Sequence, residues 1–207
     1  MKKILSIFIV LIIMLASAGC VGMNGGQNTG NGVDSNTVQS NNDDKHHVLV
    51  AVFSATGNTK QIADSAAKIL NADLYVIVPE VPYTEEDISY SSESRAYREQ
   101  HDSAARPAIN GSGPNMEKYD TVLIGYPIWY GDAPRIICTF LENRDFDGKA
   151  VAAFCTSDSS GIEASAENLH KLLPKSVTML DSRRFPVGAS EDDIRGWLDE
   201  TGLTGRK

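Results

Sequence analysis

The chain lacks the common signatures of nucleotide binding. No stretch reads G-x-x-x-x-G-K-[ST] and none reads G-x-G-x-x-G, which excludes the Walker-type phosphate loop and the dinucleotide fingerprint. A basic excess is missing as well. Lys and Arg number 19 against 27 Asp and Glu, for a formal net charge of -8. A nucleic-acid binder wants a basic footprint, so that class is set aside. The acidic balance suits a small-molecule site or a basic partner, and equally a plain solvated surface. Cysteine is scarce, with three in 207 residues, and no Cys/His spacing suggests a metal site. His46 and His47 sit side by side and look incidental. A run long enough for a comfortable membrane span of about 20 apolar residues is absent.

The first twenty residues nevertheless carry a signal. Lys2 and Lys3 form a basic start, ILSIFIVLIIMLA comes next, and SAGC closes it at Cys20. Small residues before a cysteine mark a cleavage site. The run resembles a lipoprotein signal of bacterial or archaeal type, in which Cys20 is lipidated and becomes the new N-terminus. Ser17 stands where such signals usually carry an aliphatic residue, so an uncleaved anchor and an ordinary secretory signal remain as alternatives. All three place the rest of the chain outside the cytoplasm. Residues 21–45 are rich in Gly, Asn, Ser and Asp. With almost nothing apolar to bury, they read as a flexible tether. Residues 46–207 are left as the folded domain, long enough to bury a sizeable core.

Within that domain apolar strands alternate with helical patterns. VLVAVF (48–53), LYVIV (74–78), TVLIGYP (121–127) and VAAFC (151–155) read as strands, with a weaker fifth at 176–180. NTKQIADSAAKIL carries Ile62, Ala66, Ile69 and Leu70 on one helical stripe. Further helical patterns cover 134–141, 162–173 and 192–200, the last with Ile194, Trp197 and Leu198 as its docking face. Strands apolar throughout, separated by helices, imply a parallel sheet covered on both faces, a doubly wound α/β fold. Such folds bind ligands at the carboxyl ends of their strands. Cys155 falls in a buried strand and Cys138 on an apolar helix, so both are expected as small hydrophobes rather than a disulfide. Residues 79–119 break the rhythm. They hold a helix at 91–101 between prolines and are long for a crossover, which suggests a partial lid or an elaborated edge.

Three loops at strand ends carry the chemistry. SATGNTK (54–60) joins a strand to a helix N-terminus, where free N–H groups and the positive end of the helix dipole favour an anion. Ser54, Thr56 and Thr59 add hydroxyls, Gly57 permits close approach, and Asn58 can cap. Helix capping alone would also explain these residues. GYPIWYGDAP (125–134) places Trp129 and Tyr130, then Gly131, at the end of a buried strand. Aromatics there serve as core, interface or a stacking face for a planar ring. CTSDSSGIEAS (155–165) is rich in hydroxyls and short in bulk. All three loops can converge on one crevice.

Together SATGNTK, GYPIWYGDAP and FCTSDSSGIEAS resemble the flavodoxin family over about residues 46–186, closest to members with P-I-W-[WY]-G after the third strand. The resemblance implies a five-stranded parallel sheet in the order 2-1-3-4-5, helices on both faces, and FMN as cofactor. By the same resemblance, Ser54, Thr56, Gly57, Asn58 and Thr59 would hold the 5′-phosphate. Pro127, Ile128, Trp129, Tyr130 and Gly131 would border the isoalloxazine, with Trp129 or Tyr130 stacking on it. Thr156, Ser157, Asp158, Ser159 and Gly161 would form the other edge.

No side chain stands out as an acid, base or nucleophile, so the chemistry would be the flavin's own. Asp132 and Asp158 would hold its potential low, because nearby negative charge disfavours an anionic reduced ring. Three functions are compatible with these residues. The first is an FMN-binding electron carrier tethered outside the membrane and served by a redox partner protein. The second is an FMN-dependent reductase of quinones, azo compounds or another small-molecule electron acceptor. The third is a flavin-free binding module, since a fold alone does not fix function.

Overall fold

The computed structural model describes residues 47–205. The expected signal, the lipidation site at Cys20 and the tether lie outside the described residues. The domain begins with β1 (Val48–Val52), every residue of which is buried. It runs parallel to β2 (Asp73–Val76) on one side and β3 (Thr121–Pro127) on the other. Next to β3 lies β4 (Ala150–Thr156), also parallel, and beyond it β5 (Thr178–Met179). The order β2-β1-β3-β4-β5 is the one the resemblance implies.

The two faces of the sheet result from strand alternation. Leu49, Ala51 and Phe53 point to one core with Val122, Ile124, Tyr126, Val151, Ala153 and Cys155. Val48, Val50 and Val52 point to the other with Leu123, Ala152 and Phe154. The first face is covered by α3 (Arg135–Glu142) and α4 (Glu163–Leu172), through Ile136, Ile137, Phe140 and Leu169. The second is covered by α1 (Asn58–Leu70) and α5 (Glu191–Glu200), through Ile62, Ala63, Ala66, Ile194, Trp197 and Leu198. Cys138 and Cys155 are buried free thiols, and burial pushes the Cys155 thiol up to about 12.

The fifth position of the sheet differs from the expected single strand at 176–180. It is shared by β5 and a further strand, β6 (Arg183–Phe185), which pairs with the upper half of β4. Between them, the Ala153 N–H donates to the Ser182 hydroxyl at 3.1 Å instead of to a backbone carbonyl. The Trp197 indole N–H donates to the Asp181 carbonyl at 2.9 Å. The polar run DSRR hides β6 from a pattern search because only Phe185 of that strand is buried.

In the 79–119 segment, α2 (Arg95–His101) starts later than the expected 91–101. Ser94 caps it, its side chain accepting from the Tyr97 N–H, a stop signal for anything helical before it. The turn ahead is closed by Thr84 and Asp87, which bond each other's backbone N–H. The segment is pinned to the body of the domain by Gln100. Its amide donates to the Trp129 and Ala133 carbonyls, and its oxygen accepts from the Arg135 N–H. It therefore forms a wall beside the strand ends rather than an extension of the sheet.

One contact governs how closely the layers pack. A Cβ added at Gly125 would lie 2.2 Å from the Phe154 ring, inside the α1/α5 core. Overpacking of this kind costs about 1–3 kcal/mol. Gly125→Ala should lower the melting temperature by roughly 2–4 °C for each kcal/mol lost, read by circular dichroism. Adding Phe154→Leu should recover part of the loss.

Candidate functional site

The three loops meet at the carboxyl ends of β1, β3 and β4 and enclose a cleft of about 370 Å³. From the first loop, Thr56 and Asn58 line it. The second contributes Pro127, Ile128, Trp129, Tyr130 and Gly131, and the third Thr156, Ser157, Asp158 and Ser159. Four of the residues singled out in the sequence stand behind this lining: Ser54, Gly57, Thr59 and Gly161. Ser160, Tyr90 and Val187 line it in addition. Tyr90 and Val187 come from segments whose place beside the strand ends only the tertiary fold decides. Neither lies in a stretch whose sequence pattern marks it for the cleft.

The first loop is shaped for approach by a ligand. Gly57 takes φ 91°, in the left-handed region, and is the N-cap of α1. No side chain caps the helix and its first turn holds no acidic residue, so its positive end is left for an anion. The Ser54 hydroxyl accepts from the Gly57 N–H at 3.1 Å and folds the loop back on itself. Thr59 is buried. Its hydroxyl lies 2.7 Å from that of Thr156, which ties the first turn of α1 to the end of β4.

The second loop is a tight turn. Trp129 and Asp132 exchange backbone hydrogen bonds of 2.9 and 3.0 Å, with Tyr130 at φ 49° and Gly131 at φ 84° between them. Positive φ at both central positions defines a type I′ turn, and a tyrosine there is strained. The Tyr130 hydroxyl donates to the Ser89 carbonyl at 3.1 Å, which holds the turn against the 79–119 segment. The Trp129 ring meets Phe53 and Tyr83 edge-to-face, with centroids 5.4 and 5.1 Å apart.

Of the two carboxylates expected at the cleft, only Asp158 lines it. Asp132 turns away: it accepts from the Ala133 N–H at 2.8 Å and from the Asn168 amide at 3.1 Å. The third loop is braced by Arg184 of β6, whose guanidinium donates to the Ser157 carbonyl at 2.9 Å. The Ser157 hydroxyl accepts from the Ser160 N–H. The Arg184 brace depends on β6, whereas the Ser157–Ser160 bond is local to the loop. A second, smaller cavity of about 200 Å³ adjoins the cleft across the second loop, lined by Ala55, Ile88, Tyr90 and Ala96 among others.

The arrangement offers hydroxyl and amide groups with a helix terminus at one end and a flat aromatic wall at the other. Among the described residues no cluster of three or more His, Cys, Asp or Glu could hold a metal. Thr156→Val breaks the buried hydroxyl pair between two cleft loops. It should cost about 1–3 kcal/mol, because the Thr59 hydroxyl stays buried without its partner. A shift of the urea midpoint at constant slope would measure that loss.

No curated protein matches the chain. Among solved structures, a candidate flavoprotein from Bacteroides eggerthii is 41% identical, with a TM-score of 0.71 over 75% of this chain and 98% of that one. A second, from Bacteroides uniformis, is 38% identical, with a TM-score of 0.71 over 74% and 98%. A Lactobacillus acidophilus flavoprotein crystallised in complex with FMN shares the fold at 20% identity and a TM-score of 0.57, over 73% of this chain and 98% of its own. The flavodoxin family model matches residues 47–201, the whole extent of the sheet and its covering helices, and the chain belongs to the flavodoxin family.

Proposed function

We propose that the cleft binds FMN and that the domain carries electrons while tethered to the outer face of a membrane. The observation that carries the cofactor reading is the convergence of the three loops on one cleft. Its 370 Å³ lies within the range of about 300–1,000 Å³ typical of small-molecule sites. The donor set fits a phosphate ester attached to a flat ring. Thr56 and Asn58, at the uncapped start of α1, suit the phosphate. Trp129 and Tyr130 offer the aromatic wall, and Ser157, Asp158 and Ser159 the opposite edge. Ser54, Gly57, Thr59, Thr156 and Gly161 shape the loops that present these groups. Bound FMN would supply the reversible uptake of electrons. The protein's part is to orient it, exclude water from one side and set the charge around it.

The basic start at Lys2 and Lys3, the apolar run at 4–16 and Cys20 support the tethered reading. The redox partner would be a protein at that surface. The 200 Å³ cavity beside the cleft favours a second reading, in which a small apolar acceptor such as a quinone is reduced there. Steady turnover of NAD(P)H with a quinone would select it. Absence of turnover alongside rapid exchange with a protein acceptor would select the carrier.

The first test is the visible spectrum of the protein after incubation with FMN and removal of free flavin. Retained flavin bands support the reading; a colourless protein that leaves FMN fluorescence unquenched overturns it. Riboflavin, which lacks the phosphate, should bind weaker by a factor on the order of 100, as two charge-assisted hydrogen bonds are lost. Asp158→Asn should raise the flavin's midpoint potential by roughly 10–30 mV, the effect of removing one nearby charge in a solvent-exposed setting. Potentiometric titration reads this directly, and Asp132→Asn should have a smaller effect, its carboxylate facing away.

A further inference from the structure

Beneath the cleft wall, a partly buried path leads from Trp129 into the 79–119 segment. The Trp129 ring touches Tyr83, with centroids 5.1 Å apart at 76°, and both touch Phe53. The Tyr83 hydroxyl donates to Glu99 Oε2 at 2.5 Å. The other oxygen of that carboxylate accepts from Arg95 Nε at 2.6 Å, and the two side chains of this ion pair are only 20% and 16% exposed. The Arg95 guanidinium also lies over the Tyr83 ring, 4.1 Å from its centroid, and donates to the Val81 carbonyl. Burial and the carboxylate together hold the Tyr83 phenol protonated far above its ordinary range.

This geometry is more specific than packing requires. A tyrosine gives up an electron readily only if its phenolic proton has somewhere to go, because the protonated radical cation is a strong acid. A base at hydrogen-bond distance meets that condition. A cation over the ring further disfavours a positive charge on it, so electron loss without proton loss is suppressed. Tyr83 has both features. It also has an aromatic neighbour, Trp129, that reaches the cleft. Among the described residues, Tyr119 has a carboxylate partner in Asp73 but no ring contact with either tryptophan. Trp197 meets the rings of Phe154 and Phe185, on the opposite face of the sheet.

We propose that Trp129, Tyr83 and Glu99 form a relay that draws an oxidising equivalent away from the cleft. A one-electron oxidant at the cleft, such as an oxygen-derived radical, takes one electron from Trp129 and is itself reduced by one electron. Tyr83 returns an electron to the oxidised indole, and its phenolic proton moves to the Glu99 carboxylate. The products are a restored Trp129, a neutral Tyr83 radical and a protonated Glu99, held by Arg95. A one-electron reductant from solution, such as ascorbate or a hydroquinone, then restores Tyr83 and is itself oxidised by one electron, the proton returning from Glu99. The relay depends on this chain's residues alone and stands whether or not FMN occupies the cleft.

Pulse radiolysis of the full chain without added flavin tests it, with azide radical as the oxidant. The indolyl absorption should decay as the phenoxyl absorption grows, at a rate independent of protein concentration. Tyr83→Phe, which keeps the ring packing, should abolish that first-order growth. Glu99→Gln, which keeps a hydrogen-bond acceptor but removes the base, should slow it by a factor on the order of 100. Circular dichroism on both variants checks that the fold is retained, and Tyr119→Phe should leave the rate unchanged. First-order phenoxyl growth that survives in Tyr83→Phe overturns the relay. An unchanged rate in Glu99→Gln overturns the role of the carboxylate as proton acceptor. Since no flavin is present, failure here would leave the FMN reading standing, and failure of FMN to bind would leave the relay standing.

Discussion

Three strands that are apolar on both faces need helices on both sides of the sheet. β1, β3 and β4 lie side by side at its centre, between the two helical layers, and the parallel ladder sets them in register. Val52 is level with Gly125, and Gly125 with Phe154. That register brings the three loops at their carboxyl ends to the same height. The cleft is a consequence of it: a residue slipped in any one ladder would move a whole loop away from the other two and turn its side chains to the other face.

The loops then need to be held in shape without crowding the space they enclose. The structure does this from behind. Ser54 closes the first loop on Gly57, Thr59 joins Thr156, and Arg184 braces Ser157. Gln100 fastens the second loop from the far side, with three hydrogen bonds to Trp129, Ala133 and Arg135. A buried polar side chain satisfied in this way removes freedom from a turn that is already strained at Tyr130. Thr56 and Asn58 face the cleft, while the hydroxyls of Thr59, Thr156, Ser157 and Tyr130 are engaged with protein partners. That division supports the proposed roles of Thr56 and Asn58 in binding and of Thr59 in positioning.

The 79–119 segment gives this domain its individual character. It supplies Tyr90 at the cleft and Ile88 and Ala96 at the adjoining cavity. It also supplies the Tyr83, Arg95 and Glu99 cluster beneath Trp129. A charged pair held mostly out of water is costly to bury and is rarely a gain for stability alone. Its contact with the aromatic path to the cleft makes a chemical role the more economical explanation.

Much of this was legible from residue order. The apolar runs announced β1, β3 and β4, the 3.6-residue stripe announced α1 from Asn58 to Leu70, and the hydroxyl-rich loops after the strands announced a cleft. These are local signals: periodicity and turn chemistry are set by near neighbours in the chain. What the sequence could not decide is long-range. Whether Thr59 faces a ligand or Thr156 depends on a partner 97 residues away. Whether Asp132 faces the cleft depends on Asn168, and the start of α2 on how Ser94 caps it. β6 exists because Phe154–Thr156 needed a partner that the two-residue β5 did not reach. Pairing and packing across the sheet decided each of these, since a side chain's choice between ligand, solvent and protein is fixed by what the rest of the fold brings within reach.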